Sequence, residues 1–186
     1  VRGFENELSK EFDVAIATTD VTLDSRTATV RTGEAAIGNL YADAIRSTTE
    51  SDIAIINGGG LRGEKVYPPG SAITRRDVLL ELPFGNHVAV LAISGKDIRA
   101  AIENGISLLP RTAGRFPRVS GMRYEDSLSR PAGQRVLSVH VGNAPLDEAK
   151  IYRTATNDFM ARGSDGYTMF RDARPLIPEH DGPLMS

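Results

Sequence analysis

The chain has 186 residues, a formal net charge of −2 and no cysteine. The absence of cysteine excludes zinc ribbons, iron–sulfur clusters, thiol nucleophiles and disulfide scaffolds, and the near-neutral charge provides no field that would attract a nucleic acid polymer. The longest apolar run, residues 88–93, is far shorter than the roughly 18 residues that a membrane span requires. We therefore expect one globular domain, with basic residues such as Arg111, Arg115 and Arg118 on its solvated surface.

Two periodicities divide the chain into predicted elements. Apolar residues at spacings of three and four indicate amphipathic helices, and short apolar or alternating runs indicate strands. In chain order, the predicted elements are a helix over 3–12, extended segments over 13–19, 21–24 and 26–31, a helix over 34–46, a strand over 52–56, a helix over 74–80, a strand over 87–93, a helix over 94–107, strands over 119–124, 135–141 and 150–156, and a short helix over 157–162. Because this order is not strictly βαβ, we expect mixed sheets with helices outside them.

A glycine-rich turn, Asn-Gly-Gly-Gly-Leu-Arg at residues 57–62, follows the strand over 52–56. Glycine allows a backbone to approach a ligand closely and to expose its N–H groups. Arg62 offers a planar fork for a phosphate or carboxylate, and Asn57 can contact a base edge with both a donor and an acceptor. A tight turn with a solvated arginine explains the same residues equally well. The spacing excludes a Walker A loop and a dinucleotide fingerprint.

A second turn, Gly-Ser-Asp-Gly at residues 163–166, follows the last predicted helix. A carboxylate held in such a turn can accept hydrogen bonds from two hydroxyls of a ribose. The alternative, which the isolated motif favours, is an Asx-turn in which Asp165 bonds only its own backbone. The turn taken alone therefore leaves ligand binding and local structure both open.

The segment Leu82–His87 contains Gly-Asn-His, a fragment typical of dinuclear metallophosphatases. Such a centre needs further ligands, including an Asp-x-His pair that occurs nowhere in the chain, and the chain has only three scattered histidines. We therefore interpret His87 as a residue at a strand edge rather than a metal ligand. Phe84, which precedes a glycine, can project into a binding site, although ordinary core packing also explains it.

Taken together and in order, four segments resemble the C-terminal domain of the 5'-nucleotidase family, which includes UDP-sugar hydrolases and 2',3'-cyclic-nucleotide phosphodiesterases. They are the arginine-bearing segment 31–40, the glycine-rich segment 57–62, Leu-Pro-Phe-Gly-Asn at 82–86, and Phe159 with Gly-Ser-Asp-Gly-Tyr at 163–167. Four matches in the correct order are far more specific than any one of them, and they cover nearly the whole chain.

The resemblance implies an α+β (mixed α/β) fold, a four-layer α/β/β/α sandwich with mixed sheets. Residues 1–12 would be the end of a helix that links two domains, and residues 13–186 would be the substrate-binding domain. The family's N-terminal metallophosphatase domain, with its two divalent metal ions, is absent from these 186 residues. We expect no cofactor in the substrate-binding domain itself and expect the N-terminal domain to be its partner.

The resemblance also implies a role for each matching residue. Phe84 and Phe159 would sandwich the base, Asp165 would hold the ribose hydroxyls, and Asn57 would contact the base edge. The substrate-binding set is completed by Arg31 and Arg62, near the ribose and phosphates, and by Gly59 and Gly60. Arg162 stands where relatives often carry a small polar residue, which would alter contacts at the rim of the site only.

The expected function is nucleotide or nucleoside binding as the specificity domain of a 5'-nucleotidase-type phosphohydrolase in the periplasm, at the cell surface or outside the cell. We expect the chain alone to be inactive. The specificity domain of a cyclic-nucleotide phosphodiesterase or of a UDP-sugar hydrolase is an alternative that the same residues would serve. A binding module that has lost nucleoside binding is a further alternative, although the presence of both phenylalanines, Asp165 and both arginines argues against it.

Overall fold

The computed structural model describes residues 11–178 and 181–186. The predicted helix over 3–12, interpreted as the end of a linker between domains, lies outside these residues except for its last two positions. The α-helices that lie wholly within the described residues are α1 (Thr27–Val30), α2 (Ala36–Thr48), α3 (Arg75–Glu81), α4 (Gly95–Ile106), α5 (Asp158–Ala161) and α6 (Thr168–Arg171), and two short 3-10 helices cover Gly58–Gly60 and Ser164–Gly166.

The described residues form two larger sheets and two small ones. The strands are β1 (Ala15–Thr18), β2 (Leu23–Asp24), β3 (Ile53–Asn57), β4 (Val66–Tyr67), β5 (Ala72–Thr74), β6 (Val88–Ser94), β7 (Pro117–Ser120), β8 (Met122–Asp126), β9 (Val136–Val141), β10 (Ala144–Pro145), β11 (Ile151–Asn157) and β12 (Arg174–Pro175). The largest sheet has the order β12-β6-β11-β3-β7, the next has the order β10-β9-β8, and β1-β5 and β2-β4 are antiparallel pairs. Because β11 is parallel to β3 and antiparallel to β6, the largest sheet is mixed, as predicted.

Strand β3 lies inside the five-stranded sheet, and all five of its residues are buried. Ala54 and Ile56 belong to one hydrophobic core, which α2 covers, whereas Ile53 and Ile55 belong to a second core. This alternation is the period of two that a strand imposes on its side chains. Burial on both faces explains why the strand is a nearly continuous apolar run.

Helix α4 covers the second core together with the three-stranded sheet. Its buried face and that of β9 meet there through Ile98, Ala101, Ile102, Ile106, Val136 and Val139. The helix begins where the Ser94 hydroxyl accepts a hydrogen bond from the Asp97 backbone N–H at 3.1 Å, which satisfies one of the unpaired donors of the first turn. The predicted mixed α/β class, with helices packed against mixed sheets, is confirmed.

Two of the predicted elements are wrong. Residues 26–31, predicted to be extended, contain α1, because the Asp24 carboxylate accepts hydrogen bonds from the Arg26 backbone N–H at 3.0 Å and the Thr29 hydroxyl at 2.9 Å and thereby closes a turn that apolar periodicity does not reveal. The strand over 119–124 is two strands, β7 and β8, which separate at Gly121, where φ is +72°. The unpredicted strands β4, β5, β10 and β12 have two or three residues each, too few for a periodic signal.

Candidate functional site

A cleft of about 400 Å³ lies beside the C-terminal end of β3 and is lined by residues from distant parts of the chain. All eight residues of the predicted substrate-binding set line it, namely Arg31, Asn57, Gly59, Gly60, Arg62, Phe84, Phe159 and Asp165. Asn86 and Gly114 complete the lining. The four separate motifs therefore form one concave surface, which no single motif could have indicated.

The glycine-rich turn packs tightly against the neighbouring backbone. The N–H of Gly58 donates to the Phe116 carbonyl and the N–H of Gly59 donates to the Gly114 carbonyl, each at 2.7 Å. A Cβ atom at Gly58 would overlap the carbonyl oxygen of Val30, so close packing requires glycine there. The expectation that these N–H groups face a ligand is therefore wrong for Gly58 and Gly59.

Asp165 is held from two directions between α5 and α6, in the left-handed region with φ of 55°. Its carboxylate Oδ2 accepts a hydrogen bond from Asn57 Nδ2 at 2.7 Å, and its backbone carbonyl accepts one from Asn104 Nδ2 at 3.1 Å. The carboxylate thus bonds a residue 108 positions away, which an Asx-turn does not describe. The other oxygen, Oδ1, forms no hydrogen bond within the described part of the chain.

Both phenylalanines of the cleft leave much of their rings in solvent. Phe84 is 55% exposed and Phe159 is 41% exposed, so core packing does not account for either side chain. The guanidinium carbon of Arg62 lies 5.2 Å from the centroid of the Phe84 ring, within the range of a cation–π contact. Exposed aromatic rings in a concave lining are suited to stacking on a flat ligand.

Arg31 lines the cleft and carries two donors that the described part of the chain does not satisfy. Its Nε and Nη2 atoms are buried and have no hydrogen-bond partner among the described residues. Burial, and after it the positive charge of Arg62, lowers the pKa of the Arg31 guanidinium, whereas Glu64 and Asp165 act in the opposite direction. Because a buried charged donor is costly without an acceptor, this side chain is suited to an anionic group supplied by a ligand.

The Gly-Asn-His segment does not form a metal centre. Asn86 Nδ2 donates to Asp158 Oδ1 at 2.6 Å, and His87 Nδ1 lies 2.8 Å from the carbonyl oxygen of Gly182. Over residues 11–178 and 181–186, no group of three or more His, Cys, Asp or Glu side chains is placed to hold a metal ion. The described residues therefore contain no ligand cluster of the kind needed by the two divalent ions, which the resemblance assigns to another domain.

Four residues at or behind the cleft had no predicted role: Asn86, Asn104, Gly114 and Asn157. Gly114 and Asn104 reach the site through contacts that are distant in sequence, and no local pattern reveals them. The position of Asn157 could have been predicted from the sequence, because it ends the buried strand β11 and caps α5. Asn57 ends the parallel neighbouring strand β3, so the two asparagines lie at the same edge of the sheet.

A model of the family described as 5'-nucleotidase, C-terminal domain, matches residues 15–172, and the chain belongs to this family. The trifunctional nucleotide phosphoesterase protein YfkN of Bacillus subtilis (strain 168) is 38% identical over 179 residues, which are 91% of this chain and 12% of that protein. A snake venom 5'-nucleotidase of Crotalus adamanteus is 31% identical over 175 residues, 84% of this chain and 30% of that protein. The crystal structure of a 5'-nucleotidase precursor from Thermus thermophilus matches with a TM-score of 0.86 and 39% identity, over 96% of this chain and 36% of that one.

These matches confirm the family and the fold that the four sequence segments predicted. The chain spans between 12% and 36% of the length of the three relatives, so their other parts have no counterpart in it. Among the helices that the structure describes, none has both the length and the apolar character needed to cross a membrane.

Proposed function

We propose that this chain binds the nucleoside part of a nucleotide, as the substrate-binding domain of a 5'-nucleotidase-type phosphohydrolase. The observation that carries the proposal is the meeting of two exposed phenylalanine rings, one carboxylate and two arginines in a single cleft. Each group has a matching counterpart in a nucleotide, because a base is flat, a ribose carries two hydroxyls and a phosphate is an anion.

The roles of the cleft residues follow from their surroundings. Phe84 and Phe159 stack on the base, and Asp165 accepts the ribose hydroxyls through the oxygen that Asn57 leaves free. Arg31 and Arg62 face the ribose and phosphates, where a phosphate would supply the negative charge that the buried, unpartnered guanidinium atoms of Arg31 lack. These assignments agree with the chemistry of each side chain and with its place in the lining of the cleft.

Asn57 serves this site more as a support than as a reader of the base edge. Its side chain is on a residue only 5% exposed, its Oδ1 accepts from Asn157, and its Nδ2 donates to Asp165. Most of its hydrogen-bonding capacity is therefore used within the protein, and its main contribution is to hold the Asp165 carboxylate.

The whole protein is proposed to hydrolyse nucleotide phosphoesters with two divalent metal ions held by a metallophosphatase domain outside these 186 residues. This chain alone is proposed to be inactive. The relatives named 5'-nucleotidase and nucleotide phosphoesterase support the reaction class, and the relative named for snake venom supports a location outside the cell, whereas the periplasm and the cell surface are proposed from the family resemblance alone. Metal-dependent nucleotide hydrolysis by the pure chain would contradict the assignment of catalysis to a domain outside these 186 residues.

The test of nucleoside binding is a calorimetric titration of adenosine into the wild-type chain and into Phe84→Ala, Phe159→Ala and the double variant. Stacking on an aromatic ring is worth about 1–3 kcal/mol per base, so each single variant should bind at least about fivefold more weakly. Because a base needs both of its faces covered for full affinity, the two losses should be smaller in combination than their sum.

The matched control for these variants is Leu137→Ala, which removes a 44% exposed apolar side chain from β9 rather than from the cleft. Far-UV circular dichroism checks that every variant is folded. Folded phenylalanine variants that bind adenosine as well as the control would remove the stacking role. A wild-type chain that binds no nucleoside would support the alternative of a domain that has lost its ligand.

A further inference from the structure

Three hydrogen bonds run in series from the start of α5 to the carboxylate of the cleft. The backbone N–H of Met160 donates to Asn157 Oδ1 at 2.8 Å, Asn157 Nδ2 donates to Asn57 Oδ1 at 3.0 Å, and Asn57 Nδ2 donates to Asp165 Oδ2 at 2.7 Å. Asn157 is 3% exposed and Asn57 is 5% exposed, so water does not compete for the middle hydrogen bond that joins them. The two amides connect the cap of a helix to the site.

The direction of this series is forced at both ends. A backbone N–H can only donate, so Asn157 must turn its Oδ1 towards Met160 and its Nδ2 towards Asn57. An ionised carboxylate can only accept, so Asn57 must turn its Nδ2 towards Asp165. Rotating either amide by half a turn would place oxygen against oxygen in a buried space, which leaves polar groups unsatisfied.

The backbone of Asp165 is fixed independently of its carboxylate. Its carbonyl accepts from Asn104 Nδ2 at 3.1 Å, and Arg115 donates to Asn104 Oδ1 at 3.2 Å. The side chain, in contrast, has Asn57 as its hydrogen-bond partner within the described residues. The direction in which the carboxylate faces the cleft therefore depends on the orientation of the Asn57 amide.

We propose that Asn157 is a positioning residue that fixes the Asp165 carboxylate through Asn57 and thereby gives the site its preference for ribose hydroxyls. This inference rests on the proposed function, because it takes Asp165 as the ribose acceptor. Asn157 touches no ligand in this scheme. It sets the polarity of the hydrogen-bond series, and in this scheme Asp165 keeps its other oxygen available to a ribose hydroxyl only when that polarity is correct.

The variant that tests the series is Asn157→Asp. Aspartate keeps the size of the side chain and the acceptor that caps α5, but it has no donor for Asn57. The Asn57 amide is then expected to turn its Nδ2 towards residue 157 and its Oδ1 towards Asp165, which would repel the carboxylate. Calorimetry should show that the preference for adenosine over 2',3'-dideoxyadenosine falls about tenfold, the scale of one charge-assisted hydrogen bond, while dideoxyadenosine affinity changes less than twofold.

A double-variant cycle provides a readout that does not depend on any ligand. Adding Asp165→Asn to Asn157→Asp restores a donor at the far end, so the two side-chain links can reverse while the Met160 N–H still donates to residue 157, and every link is satisfied. The double variant should recover at least half of the urea midpoint that Asn157→Asp loses. Residues 157 and 165 share no hydrogen bond of their own, so an independent structural role of Asn157 predicts additive losses instead.

Two further variants keep the outcome decisive. Asn157→Ser retains a capping hydroxyl but is too short to reach Asn57, and it should lose the ribose preference even where Asn157→Asp does not fold. Ser94→Ala removes the cap of α4 and should lower stability without changing the preference. Retained preference in folded Asn157 variants, or additive losses in the cycle, would overturn the proposal. A wild-type chain without any ribose preference would instead refute the role of Asp165, and the stability cycle would still decide the role of Asn157.

Discussion

The guanidinium of Arg118 holds the backbone on both sides of Arg31. Its Nη2 donates to the Val30 carbonyl at 2.6 Å and to the Gly33 carbonyl at 2.5 Å, and its Nε donates to Val30 at 3.2 Å. Arg118 is 2% exposed, and burial lowers its pKa to about 10, so it stays charged at neutral pH. One buried arginine therefore shapes the loop that brings another arginine to the cleft.

Replacing Arg118 should destabilise the protein and weaken phosphate recognition together. Arg118→Ala leaves two backbone carbonyls without a charged donor, and such bonds are worth about 1.5–3 kcal/mol each. We expect urea unfolding to show a loss of about 2–4 kcal/mol, with an intermediate loss for Arg118→Lys. Arg111→Ala, at an exposed loop position, is the control and should change stability by less than about 0.5 kcal/mol. A similar small change for Arg118→Ala would show that the loop does not depend on it.

The unpartnered donors of Arg31 predict that its removal weakens the binding of adenosine monophosphate but not the binding of adenosine. Arg31→Ala should reduce adenosine monophosphate affinity at least about tenfold, because a charged hydrogen bond to phosphate is lost, and should leave adenosine affinity within about twofold. The same variant should not lower the melting temperature of the unliganded protein, since it removes a guanidinium whose buried donors are unsatisfied. Parallel calorimetry with the two ligands measures this difference, and equal losses for both would place Arg31 away from the phosphate.

The motif residues of the cleft were predictable because their motifs lie where elements end. Strands β3 and β11 are parallel neighbours, so Asn57 and the turn after Asn157 reach the same edge of the sheet. An apolar run that stops at a polar residue and glycine is visible in sequence, and so is a phenylalanine that precedes a glycine. Local pattern therefore indicated Asn57, Arg62, Phe84 and Asp165 as candidates, and the family resemblance added Arg31 and Phe159, whereas Asn86, Gly114 and the hydrogen bonds of the cleft were not predicted.

Arg118 shows what a local pattern cannot give. Its neighbours suggest a basic residue on a surface loop, and the expectation of a solvated side chain is wrong. Its acceptors are 88 and 85 positions away in the chain and belong to the end of α1 and the loop after it. The charge of Arg118 can be buried only because these distant carbonyls accept its hydrogen bonds. The hydrogen bond from Asn104 to the Asp165 carbonyl, which spans 61 positions, is likewise invisible to a local pattern.

Glu81 accepts hydrogen bonds from the backbone of Arg62 and Gly63 and thereby holds the segment that carries the Arg62 side chain. The Gly63 N–H donates to Glu81 Oε2 at 3.0 Å, Tyr67 donates its hydroxyl to Oε1 at 3.0 Å, and the Arg62 N–H donates to the Glu81 backbone carbonyl at 2.9 Å. A Cβ atom at Gly63 would overlap this buried carboxylate. Gly63→Ala should therefore displace Glu81 from its partners and cost about 1–3 kcal/mol of unfolding free energy.

Adding Glu81→Ala to Gly63→Ala tests whether the loss of stability comes from overlap between the new methyl group and the Glu81 carboxylate. The double variant has room for the new methyl group, so its loss of stability should be clearly smaller than the sum of the two single losses. Urea midpoints of the four proteins give the coupling directly. Additive losses would mean that Gly63 is needed for another reason.

The last prediction concerns the acid stability of α3. Burial by itself raises the pKa of Asp77, but hydrogen bonds from Lys65 and from the side chain and backbone of Thr74 outweigh it and lower the pKa to about 2. The unfolded value is about 3.9. Because the folded pKa lies below the unfolded one, the stabilisation is fully present above about pH 4 and is lost as pH falls through about 2.

Asp77→Asn should therefore be less stable than the wild type by about 2 kcal/mol at pH 6, and the difference should shrink towards zero at pH 2. Thermal unfolding across this range measures both curves. Lys65→Met removes the ion pair at 2.8 Å but leaves the Thr74 bonds, so its pH dependence should fall between those of the wild type and Asp77→Asn. A stability difference that stayed constant from pH 6 to pH 2 would show that the Asp77 carboxylate stabilises α3 without its charge.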